Sequence, residues 1–327
     1  MKLILMMFLA LGLYANDYSD MKEAFEQNKL SRALSISRFV ATRGDVAAMY
    51  DTALLYYAKG NISEATNWFK RSLKNGGNGD LAMAIILFST ATKPKEFETI
   101  LEYLSVAKES PLQKNMMAVS EDLKEGRFDA SAEAYLALSK LYLNSMIVRT
   151  NYPRALFLLQ KAAQKSDPEA LEMLGDAYWR SNYTRDSLLF SSSTGNNLNL
   201  ALQSYKQASA AGNLNAKAKL GKLLIIGPRD IRRIDQGISL IKSAAESGNA
   251  LGAYMMGELY LEGVVTRRNP KVAASWFEKA TEICAANNVL AHLYGSSEKG
   301  EAFAATYSTC VNEKSTKKEY RLLFEKF

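Results

Sequence analysis

The amino-acid sequence predicts an all-α fold, a right-handed superhelical solenoid of about seven antiparallel helix pairs. Three observations predict it. The composition favours helix, because 327 residues include only 6 prolines and are rich in alanine, leucine and lysine. The chain is too long for one compact core, so it should form two domains or one extended array. Finally, a helix motif recurs at a step of 36 residues, which is typical of repeat proteins.

The recurring motif is clearest in the second helix of each predicted pair, helix B. Small residues seven positions apart lie on one helix face, two turns from each other, with large residues between them. The four copies are Ala273, Trp276, Phe277 and Ala280; then, 36 positions earlier, Gly237, Leu240, Ile241 and Ala244; then Ala201, Ser204, Tyr205 and Ala208; and, 46 positions before those, Ala155, Leu158, Leu159 and Ala162.

The first helix of each pair, helix A, repeats in phase with helix B. Gly257 corresponds to Gly221 and Gly175 in the earlier repeats, and Tyr260 corresponds to Leu224, Tyr178 and Tyr142. A glycine inside a helix costs about 1 kcal/mol of helix propensity, so it is expected only where another backbone passes close by. The predicted repeat core is therefore Gly175, Tyr178, Gly221, Gly257, Tyr260, Trp276 and Ala280.

These motifs resemble the Sel-one-like repeat family, a relative of the tetratricopeptide repeat with a longer period. The stretch "LGAYMMGELYLEGVV…NPKVAASWFEKA" matches the family pattern nearly throughout, and "LEMLGDAYWRS" and "AKLGKLLIIG" match its helix A. Leu224 and Gly237 depart from the pattern, since they replace a tyrosine and an alanine. The resemblance implies a solenoid of helix pairs that acts in protein–protein contact. A tetratricopeptide array is the close alternative, but the 36-residue period argues against it.

The chain divides into four predicted parts. Residues 1–15 have the basic start, apolar run (Leu3 to Leu13) and small residue (Ala15) of a signal peptide, which predicts a soluble, periplasmic protein. Residues 16–125 hold degenerate repeats. Residues 126–285 hold the Sel-one-like repeats, with a polar insertion loop at 181–199. Residues 286–327 form capping helices and a basic tail, which leaves contact with a membrane surface open, although no later segment could span one.

The charge pattern favours an acidic partner, which could be a protein, an acidic polymer of the cell envelope or an anionic membrane surface. The formal net charge of +7 falls to +6 when the predicted signal peptide is removed, and the predicted export makes nucleic acid a poor partner. The predicted partner-binding residues are arginines in loops between helix A and helix B: Arg149, Arg185, Arg232 and Arg268, with Arg229 and Arg267 beside them. The alternative is that these loops are merely solvated.

The two cysteines, Cys284 and Cys310, form a natural single disulfide in an exported protein, the alternative being two buried free thiols.

Catalytic features are missing. There is one histidine, His292, with no metal-ligand spacing and no nucleophile or nucleotide motif. We therefore expect no cofactor, no metal and no small-molecule substrate.

The sequence leaves three functions open. The first is a non-enzymatic scaffold or adaptor of the bacterial cell envelope. The second, implied by the family resemblance, is an immunity or inhibitor protein that neutralises a toxic effector such as a phospholipase in the periplasm. The third is a cell-wall-active hydrolase, against which the missing catalytic residues count.

Overall fold

The computed structural model describes residues 19–21, 23, 24, 27, 29–77, 79–144, 151–181, 194–265 and 267–317. Within the described residues all regular structure is helical, so the predicted all-α fold of helix pairs is confirmed. The helices are α1 (Leu30–Ala41), α2 (Val46–Ala58), α3 (Ile62–Lys74), α4 (Asp80–Thr90), α5 (Pro94–Val106), α6 (Pro111–Glu125), α7 (Ala132–Asn144), α8 (Tyr152–Gln164), α9 (Pro168–Ser181), α10 (Thr194–Ala210), α11 (Leu214–Ile226), α12 (Ile234–Glu246), α13 (Ala250–Glu262), α14 (Pro270–Glu278), α15 (Cys284–Tyr294) and α16 (Glu298–Lys317).

The chain forms two compact units, which divide within α8. Among the described residues, unit 1 comprises those up to residue 158, and unit 2 comprises those from residue 159 to residue 317. From α1 to α7 in unit 1 and from α9 to α16 in unit 2, helices that follow one another in the chain pack together, as expected when short loops join antiparallel helices. The four-part division predicted from the sequence stays a prediction.

Unit 1 contains a helix that does not fit the regular pairing, α6. It packs against both α5 and α7, so it is an insertion between two helix pairs. A buried carboxylate joins it to α7. Asp122 accepts hydrogen bonds from the backbone N–H groups of Asp129 (3.0 Å) and Ala130 (2.6 Å) and from the hydroxyl of Tyr135 (2.9 Å). These three donors satisfy a carboxylate that would otherwise be costly to bury.

Asparagines begin two helix A elements of unit 2, α11 and α13, in the same way. The side chain of Asn213 accepts from the N–H of Ala216, and that of Asn249 accepts from Gly252, so each caps the first turn of its helix. The glycine before each asparagine has a positive φ, 91° at Gly212 and 83° at Gly248, which explains "AGN" and "SGN".

The repeat glycines of unit 2 make room for helix B. A Cβ atom on Gly175 would lie 2.6 Å from the ring of Tyr205, and one on Gly257 would lie 2.7 Å from the ring of Phe277. Such distances are below any normal van der Waals contact. The ring of helix B therefore fills the space that the glycine of helix A leaves open, whereas the sequence predicts a close backbone at these positions.

In the α11–α12 pair the helices also approach closely at glycines, but no aromatic ring lies between them. A Cβ atom on Gly221 would lie 2.6 Å from the carbonyl oxygen of Gly237, and a Cβ atom on Gly237 would lie 2.6 Å from the carbonyl oxygen of Gly221. The two helix backbones touch here, and Ile241 fills the space beside them. Gly237 departs from the repeat pattern because, without a ring between the helices, the backbones come closer.

The last helix pair, α15 and α16, is joined by the predicted disulfide. Cys284 and Cys310 are bonded, with their Cα atoms 5.8 Å apart. Cys284 is the first residue of α15. The bond closes a loop of 26 residues, which in the chain-entropy description is worth about 3–4 kcal/mol.

A buried carboxylate lies in unit 1 on α2. Asp51 is 6% exposed, and burial raises its pKa from 3.8 to about 7, with a further contribution from the charge of Asp45. The interface between α1 and α2 beside it is held by neutral groups, because the hydroxyls of Ser37 and Thr52 share a hydrogen bond of 2.6 Å. Because Asp51 is buried, its charged form is disfavoured in the folded protein.

We expect Gly257→Ala to lower the free energy of unfolding by roughly 1–3 kcal/mol, although alanine has the higher helix propensity, by about 1 kcal/mol. The cause is the collision of the new methyl group with Phe277. Phe277→Leu should relieve part of this loss in the double variant, which urea unfolding of the four proteins would measure. The exposed Ser275→Ala on the same helix pair is the control. Unchanged or increased stability of Gly257→Ala would refute this packing.

Asp51 should make the protein more stable in mild acid than its surface charge alone predicts. Between pH 4 and 7 the folded chain binds more protons at this site than the unfolded chain, so stability falls as the pH rises through that range. Asp51→Asn abolishes this titration. The variant should match the native protein near pH 4 and exceed its unfolding free energy by roughly 1–3 kcal/mol at pH 8. If the unfolding free energies of the two proteins changed in parallel with pH, the prediction would be wrong. The exposed Asp230→Asn is the control.

Candidate interaction surface

The loops between helix A and helix B in unit 2 share one backbone bond. The N–H of Arg233 donates to the carbonyl oxygen of Leu224 (2.8 Å), and the N–H of Asn269 donates to that of Tyr260 (3.0 Å). In both loops the bond spans nine residues and joins the end of helix A to the residue before helix B. Because the acceptor is a backbone oxygen, leucine can replace the repeat tyrosine at residue 224.

Five exposed arginines lie in these two loops. Arg232 and Arg268 each precede the residue whose N–H closes the loop. Because α11 and α13 pack against each other, both loops lie at the same edge of unit 2. We name the arginines of this edge together, Arg229, Arg232, Arg233, Arg267 and Arg268, the basic edge. The predicted residues Arg149 and Arg185, and residues 182–193 of the predicted insertion loop, lie outside the described residues.

Hydrogen bonds within the α11–α12 loop orient two of these arginines. The Nε of Arg232 donates to the carbonyl oxygen of Gly227 (2.8 Å). The Nη1 of Arg233 donates to the carbonyl oxygens of Arg232 (2.7 Å) and Asp230 (3.3 Å). A guanidinium has five N–H donors, so Arg232 can brace its loop and still bind an anion.

Aliphatic side chains flank the basic edge, a feature that the sequence analysis missed. Ile226 and Ile234, on either side of the α11–α12 loop, are 48% and 44% exposed, and Val264 in the next loop is 39% exposed. We call these three residues the aliphatic flank. The signal was present in the sequence, because each residue adjoins a predicted loop, but an apolar residue at a helix end fits either the core or a contact surface.

The net charge of this edge is positive but modest. Residues 226–235 and 262–270 contain five arginines and three acids, namely Asp230, Asp235 and Glu262, for a net charge of +2. The edge thus combines charge with exposed aliphatic surface, and this combination is characteristic of interfaces more than of solvated loops.

The most conspicuous cluster of ionisable groups in unit 2 is fully paired. Lys219 donates to Glu172 and Asp176, both at 2.6 Å; the other oxygen of Glu172 accepts from Asn213 and that of Asp176 from Tyr205. Burial lowers the pKa of Lys219, but the two carboxylates outweigh it and the net shift is upward. Each carboxylate oxygen therefore has a donor, which suits a structural brace between α9, α10 and α11.

No cluster that could hold a metal ion, and no helix able to cross a membrane, occurs within the described ranges. His292 is exposed on α15, where its Nδ1 lies 2.8 Å from the carbonyl oxygen of Asn288. This contact lies within a single helix turn and brings no second functional group to the histidine.

The remaining predicted core residues differ in burial. Tyr178 and Ala280 are buried, and Tyr260 is partly buried. Trp276 is also only partly buried, with the ammonium of Lys279 over its ring at 4.2 Å, whereas the neighbouring Phe277 is completely buried. Phe277 is thus the main core residue of α14.

Comparison with known proteins gives the family of these repeats. The sequence matches the family described as Sel1 repeat over residues 46–77, 130–167 and 250–282. These segments contain α2 with α3, α7 with α8, and α13 with α14. No curated protein matches the chain.

Solved structures with a similar chain path include three bacterial proteins. A Sel1 repeat protein from Oxalobacter formigenes is 20% identical, with a TM-score of 0.47, covering 89% of this chain and 81% of its own. The protective antigen c5321 of uropathogenic Escherichia coli is 19% identical, with a TM-score of 0.32 and coverages of 86% and 72%. The immunity protein Pa5087 from Pseudomonas aeruginosa is 17% identical, with a TM-score of 0.39 and coverages of 76% and 87%.

The family matches, together with the glycine-based helix pairs and the repeated loop closure, agree with the resemblance that the sequence motifs indicated. Repeats of this type generally serve as non-catalytic scaffolds for protein–protein contact. The chain therefore contains Sel1 repeats.

Proposed function

We propose that this chain is a non-enzymatic adaptor that binds an acidic protein partner through the basic edge and the aliphatic flank of unit 2. The observation that carries the proposal is the position of five exposed arginines and three exposed aliphatic residues at one edge, in loops of matched geometry. Arginine is enriched at protein interfaces, and aligned charges favour partners of opposite sign.

The two kinds of residue contribute differently to binding. Fully burying an aliphatic side chain stabilises a complex by about 1.5–3 kcal/mol, and Ile226, Ile234 and Val264 are each already half-covered, so each should contribute less. An exposed charge pair contributes about 0.2–1 kcal/mol. The aliphatic flank should therefore supply much of the affinity, while the arginines set the association rate and the choice of partner.

The lack of enzymatic activity is part of the same proposal. Each carboxylate oxygen of the ionic cluster around Lys219 already accepts a hydrogen bond from a neighbouring helix, which suits a structural role. The one histidine is exposed and bonds within its own helix. These features support a binding role over the hydrolase alternative. Nothing in the described residues favours the immunity alternative specifically, and the identity of the partner would decide it.

We expect charge reversal of the basic edge to slow partner association. In Arg232→Glu/Arg268→Glu, the association rate should fall about tenfold at low salt, and its salt dependence should flatten, while the melting temperature barely changes. The protein enriched by the native chain from a cell-envelope extract would be purified and its binding kinetics measured at low and high salt. Ile226→Ser/Ile234→Ser should instead mainly raise the dissociation rate.

A variant with the same change of charge serves as the control for this experiment. Lys70→Glu/Lys74→Glu reverses two exposed cations on α3 of unit 1 and should leave the kinetics unchanged. Equal effects of the two reversals would mean that only net charge matters, which would overturn the proposed edge. If the native chain binds anionic lipid vesicles but enriches no protein, the partner is a membrane surface.

The proposal includes export, which rests on residues 1–15 of the sequence alone. The run from Leu3 to Leu13 would span only about 16 Å as a helix, which is short for a membrane anchor and typical of a cleaved signal. Mass spectrometry of the protein from its native host should find a mature N-terminus near Asn16 in the periplasmic fraction. Recovery of the chain with Met1 intact from the cytoplasm would disprove export.

A further inference from the structure

Unit 2 contains an open groove that the proposed adaptor function does not use. It lies on α9 and α10 and on the end of α8 that belongs to this unit, and its volume is about 1000 Å³. Leu171, Leu174 and Leu200 contribute apolar surface to it. The basic edge, by contrast, lies in the loops after α11 and α13, so the two surfaces are separate.

Four glutamines give the groove its chemical character. Gln160 and Gln164 are one turn apart on α8, and Gln203 and Gln207 are one turn apart on α10. Gln164, Gln203 and Gln207 are exposed. Gln160 is half-buried, and its amide nitrogen lies 3.4 Å from the hydroxyl oxygen of Tyr178.

The two glutamine rows run in the same direction. The turn at residues 165–167 joins α8 to α9, so α8 ends where α9 begins. At the end of α10, the side chain of Asn213 donates to the carbonyl oxygen of Pro168, the first residue of α9, so α10 ends there too. Both helices are thus antiparallel to α9 and parallel to each other.

The described residues that line this groove carry no formal charge. Ionic recognition is therefore not what these residues offer. A glutamine amide has one acceptor oxygen and one donor nitrogen with two hydrogens, so it can bind a donor and an acceptor at once. A peptide main chain presents this pair of groups in every non-proline residue, whatever its side chain.

The spacing of the glutamines fits an extended chain. Residues one helix turn apart have Cβ atoms about 5–6 Å apart. An extended strand repeats every two residues, at about 6.8 Å, and presents N–H and C=O groups along both of its edges. Two parallel rows of amides, which flexible side chains can adjust by about an ångström, match the two edges of one strand.

We propose that this groove binds the main chain of an extended peptide segment with uncharged side chains. Each glutamine row bonds one edge of the segment, and alternate side chains rest on the leucine surface. Recognition of this kind tolerates many sequences, because the bonded groups are common to all residues except proline. The groove contains none of the arginines of the basic edge, so the result of testing one proposal does not decide the other.

The test starts from defined peptide probes. Random nonapeptides displayed on phage are selected on the native full-length chain, and the enriched peptides are synthesised with acetylated and amidated ends. We expect uncharged peptides to be enriched. Gln164→Ala/Gln207→Ala should weaken their binding at least tenfold. The exposed Gln236→Ala on α12 and the reversal Arg232→Glu/Arg268→Glu should leave it unchanged, with thermal melting used to verify folding.

A second measurement separates main-chain from side-chain recognition. N-methylation of alternate residues removes the N–H donors along one edge of the peptide and should weaken binding about tenfold, whereas alanine substitution at the same residues should cost less. Unchanged binding by N-methylated peptides, equal binding by the double glutamine variant, or no enrichment on the native chain would each overturn the proposal. Binding of maltohexaose or cellohexaose that depends on Gln164 and Gln207 would reassign the groove to a saccharide.

Discussion

The contact on which unit 2 depends is the close approach of helix A to helix B at the glycine of helix A. At Gly175 and Gly257 an aromatic ring of helix B occupies the space that a side chain would need, and at Gly221 the two backbones touch. A protein interior is close-packed, so one extra methyl group at such a point must displace a neighbour. The glycine weakens its own helix by about 1 kcal/mol, and tighter packing of the pair offsets this cost.

The same contact determines where the loops and their arginines lie. In two pairs the carbonyl that accepts the loop-closing bond follows the glycine by three residues, at Leu224 after Gly221 and at Tyr260 after Gly257. One helix turn thus separates the packing point from the loop, and the closing bond then fixes the start of helix B. Arg232 and Arg268 each precede the residue that donates this bond. Their alignment is a geometric consequence of the packing.

The sequence predicts this part of the fold well because the signal is local and repeated. Small residues, rings and caps at a fixed period specify the helix pairs of unit 2, and the Cys284–Cys310 pairing follows from an even count in a predicted exported protein. By contrast, α6 is joined to α7 by Asp122 and its three donors, which form a single non-repeated network. The exposure of Ile226 could not be predicted from the sequence either, because an apolar residue at a helix end fits either the core or a contact surface.

The two proposed surfaces are compatible with one scaffold because neither is needed to hold the helices together. In a repeat protein each pair is stabilised mainly by its own contacts and by its neighbours, and the core lies between the helices. Residues in loops, such as Arg268, or on outward faces, such as Gln207, can therefore change chemistry at little cost in stability. A charged edge suits fast and selective encounter, while a neutral groove suits sequence-tolerant retention of a chain. An adaptor that carried both could select one partner by charge and still hold segments of varied sequence.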